Sequence, residues 1–289
     1  RERLRPGRMF LIDFEQGRII EDEEIKSSLS SLNPYSKWIE KNSLDTKNLS
    51  NEKPEKLDMP IIKYQQVFGY TQEDLNILID PMTKSNKDPV GSMGSDTPIS
   101  ILSKRPQNMF SYFKQMFAQV SNPPLDAIRE KLVTQISVPA GKRFNLLEES
   151  EKQSSILFID NPLLTNEKMA AIKKINHSKI KVKTISTLIK LDEENDFDLA
   201  KSINNLRIEC SNSIKDGYNI LVLSDRGARK GYIPMPSLLA LSSVHHYLIR
   251  EGLRSSADLI VESGEPREVH HFSALFGYGA SAINPYIAI

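Results

Sequence analysis

Four short apolar runs at near-even spacing constrain this chain more than any other feature. They are Ile156-Leu157-Phe158-Ile159, the alternating Ile180-Lys181-Val182-Lys183-Thr184-Ile185, Ile220-Leu221-Val222-Leu223 and Leu259-Ile260-Val261. Each is followed by a stretch of helical periodicity: Thr165 to Ile175, Asp198 to Gly217, Pro236 to Arg250, and Pro266 onward. Strand starts near 155, 180, 219 and 258 leave room for a crossover helix each time, and a parallel sheet requires such crossovers. The predicted fold class is α/β. Four consecutive βα units over residues 150–289 form a parallel sheet with flanking helices, half the count of a closed barrel and so half-barrel-like. A helical, loop-rich region over 27–140 precedes it.

The beginning of the chain reads differently. Met9-Phe10-Leu11-Ile12 and Arg18-Ile19-Ile20 flank Glu15-Gln16-Gly17, a hairpin in which glycine supplies positive φ. Asp22-Glu23-Glu24 then opens a helix with acids in its first turn. Thr71 is the predicted cap of a helix reaching Ile79, and Pro81 to Thr97 a long loop. Two helices are predicted next, Gln107 to Ala118 and Pro124 to Gln135. The first carries a core stripe of Met109, Phe110, Phe113, Met116 and Phe117; the second is capped at Asn122-Pro123-Pro124.

Ligands of parallel sheets bind at the carboxyl ends of strands. That edge carries Ser224-Asp225-Arg226 and Glu262-Ser263-Gly264-Glu265, with His270-His271 on the following helix. Asp225 or Glu262 with His270 has the composition of a proton-transfer site. The same residues also suit the structural duties of every α/β protein, capping helices and satisfying loop backbone. His270 and His271 lie off the face of Val269, Phe272 and Phe276, so at least one is expected to be accessible. His245 falls on the sheet-facing side of its helix and reads as a satisfied core histidine. Arg226, Arg229 and Lys230 sit among glycines as a phosphate loop can, but without the order of a known nucleotide motif.

Composition excludes several classes. A net charge of +1 gives no field for nucleic acid or an anionic membrane, and no apolar run is long enough to span a bilayer. The single Cys210 rules out internal disulfides and a cysteine-ligated cluster held by this chain alone, and fits a cytosol-like compartment. No zinc-ligand spacing is present. The chain opens on Arg1 rather than methionine and closes on the apolar Pro285-Tyr286-Ile287-Ala288-Ile289, as expected either of a processed chain or of a piece cut from a longer polypeptide.

Longer blocks carry a resemblance. LRPGRMFLIDFEQGRIIEDEEIK at 4–26 resembles the junction after the amidotransferase domain of glutamate synthase large subunits. GSMGSDTPISILSKRPQNMFSYFKQMFAQVSNPPLDAIREKLV at 91–133 resembles the distinctive block of that family's central domain. ILVLSDR at 220–226, IPMPSLLALSSVHHYLIREGLR at 233–254 and LIVESGEPREVHHFSALFGYGASAINPY at 259–286 are similar to its final third, in the same order.

The resemblance implies residues 1–26 as the end of an amidotransferase domain and 27–289 as the central domain. In the family, a glutaminase releases ammonia, which passes through a tunnel to a flavin barrel. There, with FMN and an iron–sulfur cluster, it reductively aminates 2-oxoglutarate to glutamate. The implied partners are the amidotransferase domain and flavin barrel of the same polypeptide. The implied electron donor is ferredoxin or a pyridine-nucleotide-oxidising small subunit, in the cytoplasm or, in a photosynthetic eukaryote, the plastid stroma. This piece is expected to bind no cofactor and to be inactive alone. The implied tunnel and substrate contacts are Gly91, Ser92, Met93, Gly94, Ser95 and Asp96, with Met93 near FMN, and then Gln119, Ser121 and Asn122. The family often has Met at the position of Val90 and Asn at that of Ser95.

Overall fold

The computed structural model describes residues 3, 5–50, 52–85, 102, 104, 107–114, 126–194 and 196–289. Its first element is the expected hairpin, β1 (Leu11–Asp13) paired antiparallel with β2 (Arg18–Ile20). The Asp13 carboxylate accepts the N–H groups of Glu15 and Gln16, both at 2.9 Å, and Gly17 takes φ +64°, a conformation that costs a side-chain-bearing residue free energy. The helix α1 (Asp22–Ser31) follows with three acids in its first turn, and then α2 (Tyr35–Asn42) and the short β3 (Leu44–Asp45).

After α3 (Ile61–Val67), Thr71 and Asp74 form a reciprocal cap: the Thr71 hydroxyl accepts the Asp74 N–H at 3.1 Å and the Asp74 carboxylate accepts the Thr71 N–H at 2.8 Å. The helix so started is π-helical over Asp74–Ile79 and continues as α4 (Asp80–Ser85), so residues 81–85, predicted as loop, are helical. Pro81, which has no N–H to donate, lies inside this continuing helix, just after its π-helical stretch. Of the helix predicted from Gln107 to Ala118, the described residues form a single 3-10 turn, Met109–Tyr112, after which Phe113 is extended; Met116 and Phe117 lie outside the described residues. The Asn108 side chain accepts the Ser111 N–H and ties off that turn. The next helix, α5 (Ala127–Val133), is capped by Asp126 rather than Asn122, because Asp126 accepts the N–H groups of Ile128 and Arg129.

The α/β half contains β4 (Val138–Ala140), β5 (Leu157–Ile159), α6 (Asn166–Lys173), β6 (Val182–Ser186), β7 (Leu188–Lys190), α7 (Leu199–Lys215), β8 (Ile220–Ser224), β9 (Tyr232–Pro234), α8 (Ser237–Arg250), β10 (Asp258–Glu262), α9 (Val269–Gly277) and β11 (Ala280–Asn284). A four-stranded parallel sheet has the order β11-β10-β8-β6, each strand beside its neighbour in the chain, as in a segment of barrel. The expected α/β class with a four-stranded parallel sheet therefore holds, but the strands differ by one. Strand β5 does not join; it pairs with β3 and β4 in a separate three-stranded sheet, and β11 completes the large one.

Side-chain alternation explains the exchange. Leu221, Leu223, Leu259 and Val261 face the layer of α7, α8 and α9, packing with Cys210, Leu238, Leu241, Val244 and Leu248. Ile220, Val222 and Ile260 face the other way, onto Leu157, Ile159, Leu164, Met169 and Ile172. A sheet buried on both faces needs two covers. β5 and α6 supply the second, and each buried Leu, Ile or Val there contributes about 1.5–3 kcal/mol. The segment leaving β5 is stitched to the sheet edge, with the Leu164 N–H donating to Ile283 O at 2.8 Å and the Ile283 N–H to Pro162 O at 2.7 Å. Helix α9 begins at Val269, three residues later than Pro266 suggests. Among the described residues no helix is long and apolar enough to cross a membrane.

Candidate functional site

The carboxyl ends of β8 and β10 bring the two acids together. Glu262 is 1% exposed; its Oε1 accepts Arg226 Nε at 2.7 Å, and its Oε2 accepts Ser224 Oγ at 2.5 Å and meets Lys173 Nζ at 2.7 Å. Arg226 in turn lies 4.2 Å over the Tyr286 ring, and Lys173 also pairs with Glu55 at 3.1 Å. Two cations and a hydroxyl thus surround one buried carboxylate, which compensates its desolvation.

Asp225 is 2% exposed and has no cation partner among the described residues. Its carboxylate accepts Ser263 Oγ and, at 3.1 Å, the Gly264 N–H, while its own N–H donates to Glu262 O at 3.1 Å. Burial pushes the Asp225 carboxyl up to about 7, against the opposing pull of those hydrogen bonds. The Tyr286 hydroxyl is buried nearby without a hydrogen-bond partner of good geometry, and burial followed by the Asp225 charge pushes that phenol up.

His270 does not complete an acid/base set. Both histidines are buried, contrary to expectation: His270 is 9% and His271 3% exposed. The His270 Nε2 meets Phe110 O at 3.1 Å; the His271 ring stacks on Phe110 at 4.3 Å, accepts the Arg267 N–H at 3.3 Å and meets Glu268 Oε1 at 2.9 Å. That hydrogen bond to His271 holds the Glu268 carboxyl below its usual range. The 3-10 turn Met109–Tyr112 covers the face that helical geometry left open, and Val269 points outward instead. His245 is half-buried and its Nδ1 accepts Arg254 Nε at 3.0 Å; burial and then that guanidinium lower its pKa. Gly279, at φ +101°, backs this histidine so closely that a Cβ would lie 2.2 Å from its Nδ1.

Of the phosphate-loop cations, Arg226 is committed to Glu262, and Arg229 stacks over Tyr232 at 4.5 Å and donates to Gly227 O. Among the described residues no group of three His, Cys, Asp or Glu side chains is placed to hold a metal ion. The structural duties of the edge are plain. Glu265 accepts both Ser237 N–H (2.8 Å) and Ser237 Oγ (2.6 Å), capping α8 rather than its own helix.

Arg267 and Gly264 join the N-terminal region to this edge. The Arg267 guanidinium, 4% exposed, donates to Phe68 O and Gly69 O at 3.2 and 3.1 Å, pairs with Asp74 at 3.1 Å and stacks on Tyr70 at 4.4 Å. The Phe68 ring lies flat enough on Gly264 that a Cβ there would be 2.3 Å from it, and the Tyr70 hydroxyl donates to Gly264 O at 3.0 Å. Between these elements opens a cleft of about 680 Å³, whose walls include Phe68, Tyr70, Asp74, Asn108, Met235 and Arg267. Neither Asp225 nor Glu262 lines it. Sequence reasoning missed Arg267 and Tyr286, whose roles depend on contacts nearly 200 and about 60 residues away in the chain. Gly91, Ser92, Met93, Gly94, Ser95, Asp96, Gln119, Ser121 and Asn122 lie outside the described residues.

Comparison with known proteins supplies the family. Residues 63–289 match the profile of the glutamate synthase central domain, and residues 1–38 that of class-II glutamine amidotransferases. The chain is 44% identical to the glutamate synthase [NADPH] large chain of Bacillus subtilis, over all of this chain and 19% of that protein. It is 37% identical to the chloroplastic ferredoxin-dependent glutamate synthase of Oryza sativa subsp. japonica, over 99% of this chain and 18% of the relative. It is also 37% identical to the glutamate synthase [NADH] of Schizosaccharomyces pombe, over 99% of this chain and 14% of the relative. The chain thus spans less than a fifth of the length of each. With a profile match over most of its length and more than a third of its residues identical to these relatives, the chain belongs to the glutamate synthase family, as its central domain.

Proposed function

We propose that this domain connects the glutaminase and synthase halves of a glutamate synthase large chain and lines part of the path by which ammonia travels between them. The observation that carries the reading is the adjacency of two matches in one chain: an amidotransferase profile at 1–38 leads into the central-domain profile at 63–289. The boundary proposed from sequence puts the amidotransferase end at residues 1–26 and the central domain at 27–289. The hairpin supports it, since Phe10, Leu11, Ile12, Phe14 and Ile19 are exposed, with Phe14 at 90%. Such an apolar ribbon fits the surface of a domain continuing on the amino side.

The full-length protein would release ammonia from glutamine and use it to convert 2-oxoglutarate to glutamate with FMN and an iron–sulfur cluster. The residues described here do not make a site for either group. The one cysteine, Cys210, is on the buried face of α7, and the edge cations Arg226 and Arg267 are committed to Glu262, Asp74 and backbone carbonyls. Both groups are assigned to other domains of the large chain. Relatives named for NADPH, NADH and ferredoxin accord with either class of electron donor. Gly91 to Asp96 would reach the synthase site, with the thioether of Met93 packing near the flavin and Gln119, Ser121 and Asn122 along the ammonia path.

The test uses the full-length enzyme. Met93→Ala is expected to lower glutamate formation from 2-oxoglutarate more than glutamine hydrolysis; equal loss of both would overturn the placement of that loop. The present chain alone is expected to be colourless and without turnover. Measurable glutaminase or synthase activity from it would overturn the connecting role.

A further inference from the structure

At the opposite, amino-terminal edge of the parallel sheet a second cleft, of about 540 Å³, opens between the loop after β4, the 3-10 turn Glu151–Ser154 and the end of α7. Its volume lies in the range of small-molecule sites. Lys142, Lys152, Lys179 and Lys215 line it, and the Lys181 ammonium approaches the same rim, 3.9 Å from where a Cβ on Gly217 would stand. Among the described residues Lys179 alone of these has an acidic partner, Glu151 at 3.2 Å. Lys142 rests over the Phe144 ring at 5.2 Å, and Lys152, Lys181 and Lys215 form no ion pair among the described residues. The contrast is with Glu262 at the carboxyl edge, where two cations, Arg226 and Lys173, meet one buried acid. Lys215 also complements the carboxyl end of α7. Lys142 and Lys152 have no such reason to gather beside it, and like charges so placed repel.

The second observation lies at the floor of the cleft. Ser155 is 5% exposed, lines the cavity, and among the described residues its Oγ is one of few buried side-chain polar atoms without a hydrogen-bond partner. A buried hydroxyl left unpaired carries a desolvation cost that a ligand oxygen would remove. Phe144, Tyr218 and Leu253 give the cleft apolar walls.

We propose that this cleft binds a small phosphate-bearing anion, with Lys142, Lys152 and Lys215 supplying charge and Ser155 Oγ a fixed hydrogen bond. Phosphate rather than a lone carboxylate suits the set. Lysines hold phosphate as compact point charges, and the charge of a phosphate, larger than that of one carboxylate, matches several of them at once. Several converging cations call for a ligand with two or more negative charges.

The experiment measures binding of pyrophosphate, ADP and adenosine to the full-length large chain by calorimetry. Variants are the triple Lys142→Gln/Lys152→Gln/Lys215→Gln, Ser155→Ala, and a charge-matched control at the exposed Lys37, Lys47 and Lys56. Expected is saturable binding of pyrophosphate and ADP, none of adenosine alone, and weakening by about tenfold or more in the cleft triple. A few-fold loss is expected in Ser155→Ala and little change in the control, with glutamine hydrolysis retained throughout as the check on folding. ADP binding stronger than that of pyrophosphate would identify a nucleotide as the source of the phosphate; equal binding would identify the bare anion. No saturable pyrophosphate binding, or the same loss in control and cleft triples, would overturn the proposal.

Discussion

Replacing Asp225 by asparagine separates a structural acid from a catalytic one. A carboxyl pushed up to about 7 at the carboxyl edge of a parallel sheet has the signature of a general acid, yet Asp225 is closed off from the cleft beside it. The folded value is raised above the ordinary 3.8. As pH rises from about 4 to about 7, the unfolded chain gives up a proton that the folded chain keeps. The stabilisation from this group is therefore full below about 4 and is lost by about pH 7, at about 1.4 kcal/mol per pH unit and about 4 kcal/mol in all. Asparagine carries no such cost: its Oδ1 can accept the Gly264 N–H and its amide can donate to Ser263 Oγ, which already accepts the Glu265 N–H. The assay is amide hydrogen exchange at Ile220–Leu223 and Leu259–Val261 in the full-length enzyme, variant against wild type at each pH, so that intrinsic exchange cancels. The variant is expected to gain protection relative to wild type as pH is raised from 5 to 8, with glutamate formation retained. A protection ratio that stays flat or falls would refute the burial argument. Lost synthase activity with intact protection would refute the structural assignment.

Other outcomes follow from single contacts. Gly264→Ala places a Cβ 2.3 Å from the Phe68 ring, an overpacking that costs about 1–3 kcal/mol and should loosen residues 63–74, seen as earlier proteolysis there. Glu265→Ala removes the carboxylate oxygen that accepts both the Ser237 N–H and the Ser237 hydroxyl and should destabilise α8 by about 1–2 kcal/mol, read as faster exchange at its first turn. Cys210 is fully buried and its thiol is pushed up to about 12 by burial, so it should resist a thiol reagent until the protein unfolds; prompt labelling of the native chain would contradict its placement.

How much of this was legible in advance depends on the range of the interaction. Elements written by local physics appeared where expected. The Gly17 hairpin, the Thr71 and Thr165 caps, the helix after Asp198 and the strands 220–224 and 258–262 all rest on residues within a turn or on simple periodicity. The Met/Phe stripe from 109 suggested a helix, but it is Phe110 packing on His271 that fixes a single 3-10 turn there. The strand Ala280–Asn284 went unread because its alanines and serine carry little strand propensity; its pairing with β10 makes it a strand.

By itself, then, the sequence determined the α/β class, the spacing of its units and, through long matching blocks, the family. Only the tertiary structure decided which four strands share the sheet, since an apolar run such as Leu157–Ile159 can be a strand within a sheet or a cover over one. It also decided what the edge acids do. Burial and partners distinguish Glu262, saturated by Arg226 and Lys173, from Asp225, left to hold its proton, and neither depends on the residue type alone.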